Sequence, residues 1–289
     1  MLVALVAERE LREHHPAVWA QVETLMAKVT TPKEKDHAFV ESATFADLYN
    51  KKMYGDKGKV DPYLDLFNNN AELVNTDSHW HFADLPYYDG ITEEEAGDNK
   101  ELPELNAIEG IRRLQDNLKG IQFTEDESYR LRCLIHYVGD IHQPFHGISK
   151  FSKKRINGDY GGNTYYLSYN RYGSLKNMHS LWDSGMGKYN KGIYPKLSTR
   201  EWSKLNGIGD TIMEEWPRSS VDVSSLDPAD WAQESYDIAV DFGYVDVYYT
   251  YQERKWVHEE YLEKGLSLVH KRIAMAGYRL ADTIVTFFE

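Results

Sequence analysis

The chain has 289 residues, 42% of them hydrophobic and 13% aromatic, and a formal net charge of −13. Its length and apolar content allow one large domain with a sizeable buried core or two small domains, and the single cysteine, Cys133, excludes an internal disulfide. The negative charge argues against a protein that holds nucleic acid on a basic surface, since such proteins neutralise phosphates with Lys and Arg; an acidic protein that acts on phosphates needs cations from another source, such as bound metal ions.

The first half of the chain is predicted to be helical. Residues 2–27 predict one amphipathic helix, and a second helix is predicted over residues 31–53. A third helix follows the capping-box pair Thr124 and Glu127. It is expected to end at Pro144, because proline disfavours helical backbone at the residue before it.

The second half combines helices with one irregular segment. Residues 147–176 are rich in Gly, Asn and Tyr, which predicts loops with a short hairpin. A further helix begins with Pro228 in its first turn, and residues from about 254 to 288 predict a long final helix. The sequence contains no repeat, no Pro/Ser-rich linker and no run near the roughly 20 apolar residues that cross a bilayer. We therefore expect a single, mainly α-helical domain over residues 1–289, with no membrane span.

The stretch HYVGDIHQPFH, residues 136–146, carries three histidines and an aspartate in an otherwise apolar segment. At about 100° of rotation per helical residue, Asp140 lies about 40° from His136, while the aliphatic residues fall on the opposite face. The two polar side chains can therefore converge on one point. His146 lies beyond Pro144, where a turn can direct it toward the same region.

The same four-residue spacing recurs in KNMHSLWDSGM, between His179 and Asp183. One such pair is more often an ordinary hydrogen bond within a helix, but two pairs and a third histidine match the nitrogen and oxygen ligands that zinc accepts. The stretch HWHFADLP adds His81 and Asp84. Asp47 stands in an apolar helical context that normally excludes a carboxylate.

Six ordered segments resemble one protein family. The segments HWHFADLP, LIHYVGDIHQPFH, GGNTYYL, NMHSLWDSG, WAQESY and AMAGYRLADTI are similar to the zinc-dependent single-strand-specific nucleases, called the S1/P1 type in fungi and class I nucleases in plants. The similarity covers nearly the whole chain. It implies a mainly α-helical fold shared with zinc phospholipase C, three zinc ions, cleavage of single-stranded DNA and RNA to 5′-phosphorylated products, and activity on 3′-nucleotides.

The resemblance also implies a role for each candidate residue. Three residues would bind one zinc ion, namely Asp47, His81 and His136, and three would bind another, namely His146, His179 and Asp183. Asp140 would be shared between the first of these ions and a further one. Asp84 and Asn163 match positions beside the attacking water and the phosphate.

The amino-terminal residues depart from the family pattern. Family members begin their mature chain with a tryptophan, whose amino group and carbonyl bind zinc, and have a histidine shortly afterwards; MLVALVAEREL matches the segment that follows that histidine. The third zinc site therefore retains only Asp140. The first residues also lack the basic leader and small-residue cleavage site of a signal peptide. We expect that the native protein has upstream residues, including a signal peptide, and that it is secreted or lumenal as the family implies.

Two other functions remain open on the sequence. Zinc phospholipase C uses the same metal cluster on a different phosphodiester, although GGNTYY and NMHSLWD favour the nuclease. The other possibility is a non-enzymatic protein, either a truncated relative that has lost catalysis or a helical protein with structural zinc. Structural zinc usually has four protein ligands and is often cysteine-rich, so a His/Asp set favours a catalytic centre. No protein partner is predicted.

Overall fold

The computed structural model describes residues 1–29, 37–47, 77–167, 177–189, 196–251 and 254–288. Most of its regular elements are helices: α1 (Leu2–His14), α2 (Pro16–Met26), α3 (Ala107–Asn117), α4 (Glu125–Ile141), α5 (Met178–Asp183), α6 (Thr199–Glu215), α7 (Pro228–Ile238) and α8 (Glu259–Phe288). Within these described ranges four short strands accompany them: β1 (Leu85–Asp89), β2 (Ile148–Ser152), β3 (Tyr248–Tyr251) and β4 (Arg254–Val257). The prediction of a mainly α-helical fold is confirmed.

The predicted helix over residues 2–27 is in fact two helices. α1 ends at His14 and α2 begins at Pro16, and His15 between them has a non-helical backbone with φ of −134° and ψ of 53°. A proline clashes with helical backbone at the preceding residue but is well suited to the first turn of the next helix. The prediction of one continuous helix was wrong, and Pro16 is the reason.

The helix predicted over residues 31–53 is described only for residues 37–47. Within that part, Glu41–Thr44 form a 3-10 turn, and residues 45–47 are helical. The remainder of the predicted helix lies outside the described residues. The described part is enough to place Asp47.

α4 has the predicted boundaries. The hydroxyl of Thr124 accepts a hydrogen bond from the backbone nitrogen of Glu127 at 3.2 Å, and the Glu127 carboxylate accepts one from the backbone nitrogen of Thr124 at 2.8 Å. This is the predicted capping box. The helix ends at Ile141, ahead of Pro144, so both of its predicted ends are confirmed.

The carboxy-terminal helices also follow the sequence pattern, with one adjustment. α7 begins at Pro228 as predicted. α8 begins at Glu259 rather than near residue 254, because residues 254–257 form β4. α8 is 30 residues long, yet no described helix is both long and apolar enough to cross a bilayer.

The strands form two separate pairs. β1 and β2 are parallel, with Leu85 opposite Ile148, and β3 and β4 are antiparallel, with Tyr248 opposite Val257. The segment 147–176, predicted to hold loops with a short hairpin, is described for residues 147–167, which contain β2 and an isolated antiparallel bridge between Ser152 and Arg155. A second antiparallel bridge joins Tyr166 to Asn177, and residues 168–176 lie outside the described residues. β1 follows the segment that carries His81, and β2 follows His146. Their pairing therefore holds these two predicted ligand segments next to each other.

The aliphatic face of α4 lies in the main hydrophobic core. Leu134, Val138 and Ile141 are fully buried there, and α4 packs against α3, α7 and α8. Because this face is fixed in the core, the opposite face of the helix, with His136 and Asp140, is held in a defined place.

Candidate metal centre

His136 shows how the polar face of α4 is arranged. Its Nδ1 donates a hydrogen bond to the carbonyl oxygen of Ala43 at 2.7 Å, so the neutral ring has its proton on Nδ1 and a lone pair on Nε2. That Nε2 lies 3.0 Å from Oδ2 of Asp140 and 3.8 Å from Oδ1 of Asp47. A lone pair that faces carboxylate oxygens requires a proton or a metal ion between them.

Asp47, His81 and His136 form the first group of candidate ligands. One ligand atom from each residue lies within 4.8 Å of the others. Nδ1 of His81 lies 3.1 Å from Nε2 of His136 and 2.8 Å from Oδ2 of Asp140. Asp140 therefore contacts both histidines of the first group. These two histidines, His81 and His136, are far apart in the sequence.

His146, His179 and Asp183 form the second group, again with ligand atoms within 4.8 Å of one another. Nε2 of His146 lies 3.2 Å from Oδ1 of Asp183, and Nε2 of His179 lies 3.6 Å from Oδ2. Nδ1 of His146 donates to the carbonyl of His81 at 2.5 Å, and Nδ1 of His179 donates to the carbonyl of Gly161 at 2.9 Å. Metal-binding histidines usually donate their second ring N–H in this way, which fixes the tautomer and the orientation of the ring.

The charges around these residues favour cations. Although burial opposes the shift, Asp140 and Asp183 raise the pKa of His146 to about 9. Asp140 and Asp47 likewise raise the pKa of His136 against the effect of burial. Burial also opposes the change at Asp140, but His136 and His146 hold the pKa of its carboxyl well below the ordinary value. The two groups thus create a strongly negative environment that a proton or a divalent cation can neutralise.

Asp84 and Asn163 lie outside the two groups. Asp84 directly precedes β1; burial raises its pKa to about 7, His146 opposes this shift and Asp159 reinforces it. The Asn163 side chain is exposed, and its Nδ2 donates to the carbonyl of Tyr160 at 2.9 Å. The catalytic roles of Asp84 and Asn163 stay predictions.

Several groups that orient the candidate ligands were missed from the sequence. Nε2 of Gln143 donates a hydrogen bond to Oδ1 of Asp183 at 2.7 Å. The available signal was its place in HQPFH, between two predicted ligand segments. The carbonyls of Ala43 and Gly161 leave no signal in the side-chain pattern, because any residue has a carbonyl.

Fold and site together define a mainly α-helical protein with a candidate centre for at least two metal ions, built from histidine and aspartate. A family model described as S1/P1 Nuclease matches residues 1–289. The chain belongs to the S1/P1 nuclease family, and the resemblance seen in the sequence is confirmed.

Curated relatives include plant and fungal proteins. Endonuclease 1 of Arabidopsis thaliana is 28% identical over 225 residues, which are 73% of this chain and 69% of that protein. Endonuclease 3 of the same plant is 28% identical over 164 residues, 55% of this chain and 51% of that protein. Nuclease S1 of Aspergillus oryzae is 27% identical over 161 residues, 52% of this chain and 51% of that protein. The chain thus spans about half the length of Endonuclease 3 and of Nuclease S1.

Proposed function

We propose that this protein is a zinc-dependent phosphodiesterase that cleaves single-stranded DNA and RNA to 5′-phosphorylated products and also acts on 3′-nucleotides. Membership of the S1/P1 nuclease family supports hydrolysis of phosphodiester bonds, and relatives named as endonucleases and as Nuclease S1 point the same way. The observation that carries the proposal is the convergence of two His/Asp groups around α4. Family resemblance also supports a secreted or lumenal location.

The donor set fits zinc. Imidazole nitrogen and carboxylate oxygen are ordinary zinc ligands, and three protein ligands per ion is the number that catalytic zinc sites use, with the fourth position open to water or substrate. The first group would hold one ion and the second group another. Asp140, which contacts both histidines of the first group, would be shared with a further ion.

In the proposed mechanism, the metal ions and the side chains of the protein have different roles. When bound, zinc supplies the Lewis acidity that lowers the pKa of the attacking water and neutralises charge on the phosphate. Asp84 accepts a hydrogen bond from that water and orients it toward phosphorus. Asn163 donates from its amide to a non-bridging oxygen as negative charge grows there. An acidic chain depends on such cations, because its own net charge of −13 repels a polyanion.

Metal analysis combined with cleavage assays tests this proposal. Wild-type protein loaded with zinc is expected to cut single-stranded DNA and RNA oligonucleotides, to spare the matched duplex and to leave phosphatidylcholine intact. His136→Ala is expected to lose zinc and cleavage together. His79→Ala is the matched control: His79 lies two residues before His81, outside both groups, and its ring packs against Phe82 at 5.9 Å.

Two results would contradict the proposal. Zinc-loaded protein that hydrolyses phosphatidylcholine and leaves single strands intact would favour the phospholipase alternative. Wild-type protein that retains no zinc, or a His136→Ala variant with wild-type zinc content, would remove the basis of the mechanism.

A further inference from the structure

A buried carboxylate holds the loop that carries Asn163. Asp159 is 0% exposed, and it belongs to neither group of candidate ligands. Its Oδ1 accepts hydrogen bonds from the backbone nitrogens of Lys150 and Gly162, each at 3.0 Å, and its Oδ2 accepts one from the hydroxyl of Tyr244 at 2.7 Å. Burial of a carboxylate is costly unless it is hydrogen-bonded, so these three donors are what keeps Asp159 inside.

Two glycines let this loop approach the candidate centre. Gly161 and Gly162 have φ of +62° and +75°, values that residues with a side chain rarely adopt. A Cβ on Gly161 would lie 2.3 Å from the carbonyl oxygen of Phe145, and one on Gly162 would lie 2.8 Å from Cδ1 of the same residue. The loop therefore lies directly against the turn that presents His146.

The position of the loop decides the orientation of a candidate ligand. The carbonyl of Gly161 accepts the hydrogen bond from Nδ1 of His179 at 2.9 Å. That bond fixes the proton on Nδ1 and turns Nε2 toward Asp183. The neighbouring nitrogen, that of Gly162, is the one that Asp159 holds. A shift of the Asp159 carboxylate would move the Gly161 carbonyl with it.

We propose that Asp159 and Tyr244 are positioning residues for His179. The Tyr244 hydroxyl fixes the buried carboxylate, the carboxylate fixes residues 159–162, and the Gly161 carbonyl then holds the imidazole with Nε2 ready for the metal. The inference rests on the proposed metal centre. The segment DYGGN, residues 159–163, would then have two roles: orienting His179, and the predicted contact of Asn163 with phosphate.

Tyr244→Phe is the sharpest test, because it removes one hydroxyl and keeps the ring. NMR of the ring nitrogens during a zinc titration reports His179 and His136 separately. We expect the variant to bind zinc at His179 about tenfold more weakly, the lower end of what loss of such supporting contacts costs, with unchanged affinity at His136. We also expect His179 in the metal-free variant to populate both tautomers, whereas the wild-type ring is protonated on Nδ1.

Tyr278→Phe is the matched control. Its hydroxyl donates to the carbonyl of Trp216 at 3.0 Å, away from the loop, so the change has a similar cost in stability but is expected to leave zinc binding at His179 unaltered. Circular dichroism checks that both variants are folded.

Three outcomes overturn the inference, and they are distinguishable. Wild-type protein that binds no zinc at His179 refutes the metal centre and the inference together. Wild-type binding with an unchanged affinity and tautomer in Tyr244→Phe refutes only the inference. An equal loss of affinity in both variants shows that general stability, rather than the loop, controls His179.

Discussion

A histidine binds a metal ion only when its ring is turned and protonated correctly, and backbone carbonyls do this for three of the candidate ligands. His136, His146 and His179 each donate from Nδ1 to a carbonyl oxygen. Each bond leaves Nε2 directed at an aspartate. The protein thus orients these ligands through its own hydrogen bonds, before a metal ion arrives.

Asp84 is the residue whose replacement should separate catalysis from metal binding. Asp84→Asn keeps the size of the side chain and removes the charge that we propose orients the attacking water. We expect kcat to fall by about 10²- to 10⁴-fold, the usual contribution of a positioned acid or base, with unchanged zinc content. Steady-state kinetics on a single-stranded oligonucleotide, with metal analysis of the same sample, measure both quantities.

Asp89→Asn provides the control in the adjacent strand. Asp89 is exposed and pairs with Lys150 at 2.7 Å, so its replacement should leave kcat at the wild-type value. If Asp84→Asn retained full activity, or lost zinc along with activity, the role assigned to Asp84 would be incorrect.

The side chains of the site could be selected from the sequence, but their surroundings could not. A spacing of four residues predicts that His136 and Asp140 share a helix face, and the structure places their atoms 3.0 Å apart. The other ring nitrogen of His136, Nδ1, bonds to the carbonyl of Ala43, which lies far away in the sequence. Such a contact arises only from tertiary packing, and its chemistry is the same for every residue type.

α4 is fixed at both ends by polar contacts. Its amino-terminal end has the capping box described above. At the other end, the hydroxyl of Ser235 donates to the carbonyl of Ile141 at 2.6 Å, and Nε of Arg272 donates to the carbonyl of His142 at 2.9 Å. Carbonyls at a helix end otherwise lack partners within the helix. These bonds hold the end of α4 in place where the chain turns toward His146.

Thr124→Ala tests the amino-terminal cap. The change removes the hydroxyl that accepts from the backbone of Glu127, and we expect the free energy of unfolding to fall by about 1 kcal/mol. Urea unfolding followed by circular dichroism measures it. Thr211→Ala in α6 is the control, since that exposed hydroxyl donates to the carbonyl of Gly207 one turn earlier; its effect should stay within about 0.5 kcal/mol. Equal stabilities for the two variants would show that the cap contributes nothing.

Two buried arginines of α8 converge on Glu234 of α7. Arg272 donates to its carboxylate at 2.5 Å, and Arg279 donates to both oxygens at 2.7 Å. Although burial opposes the shift, the two guanidinium groups hold the pKa of Glu234 below its ordinary value. A carboxylate of this kind contributes stability above its unfolded-state pKa, and that stability is lost as the pH falls through its folded-state pKa.

Glu234→Gln should therefore change both stability and its pH dependence. At neutral pH we expect a loss of about 3 kcal/mol, the lower end for breaking a buried pair, since Glu234 is 34% exposed. Between about pH 6 and about pH 3, across the unfolded-state pKa near 4.3, the variant should lose less further stability than the wild type. Urea unfolding at the two pH values measures this difference. If both proteins lost the same amount of stability between the two pH values, the two arginines would not be lowering the pKa of Glu234, contrary to this account.

Local signals located some elements and failed for others. Capping residues and Pro228 defined α4 and α7, because a helix end depends on a few neighbouring side chains. α6 has the same capping-box signal, from Ser198 and Glu201, so its amino-terminal end was also predictable from the sequence. The parallel pairing of β1 with β2 could not be predicted, because the two strands are distant in the sequence. Their pairing depends on the direction in which the chain leaves the end of α4 and enters β2.

Zinc should stabilise the whole molecule, because the two groups join segments that are distant in the chain. A ligand that binds only the folded state adds about 2.7 kcal/mol of stability at a concentration 100-fold above its Kd. We expect a chelator to lower Tm and zinc to restore it, while magnesium, which prefers oxygen ligands, does not. Thermal unfolding in the three conditions measures this. An unchanged Tm in all three would contradict a zinc centre built from these residues.

The most direct test is anomalous diffraction at the zinc absorption edge from crystals of the zinc-loaded protein. Ions at the first and second groups should give peaks about 2.0–2.1 Å from Nε2 of His136, His146 and His179. Zinc bound at other places, with no peak at either group, would contradict the assignment of this site and the mechanism derived from it.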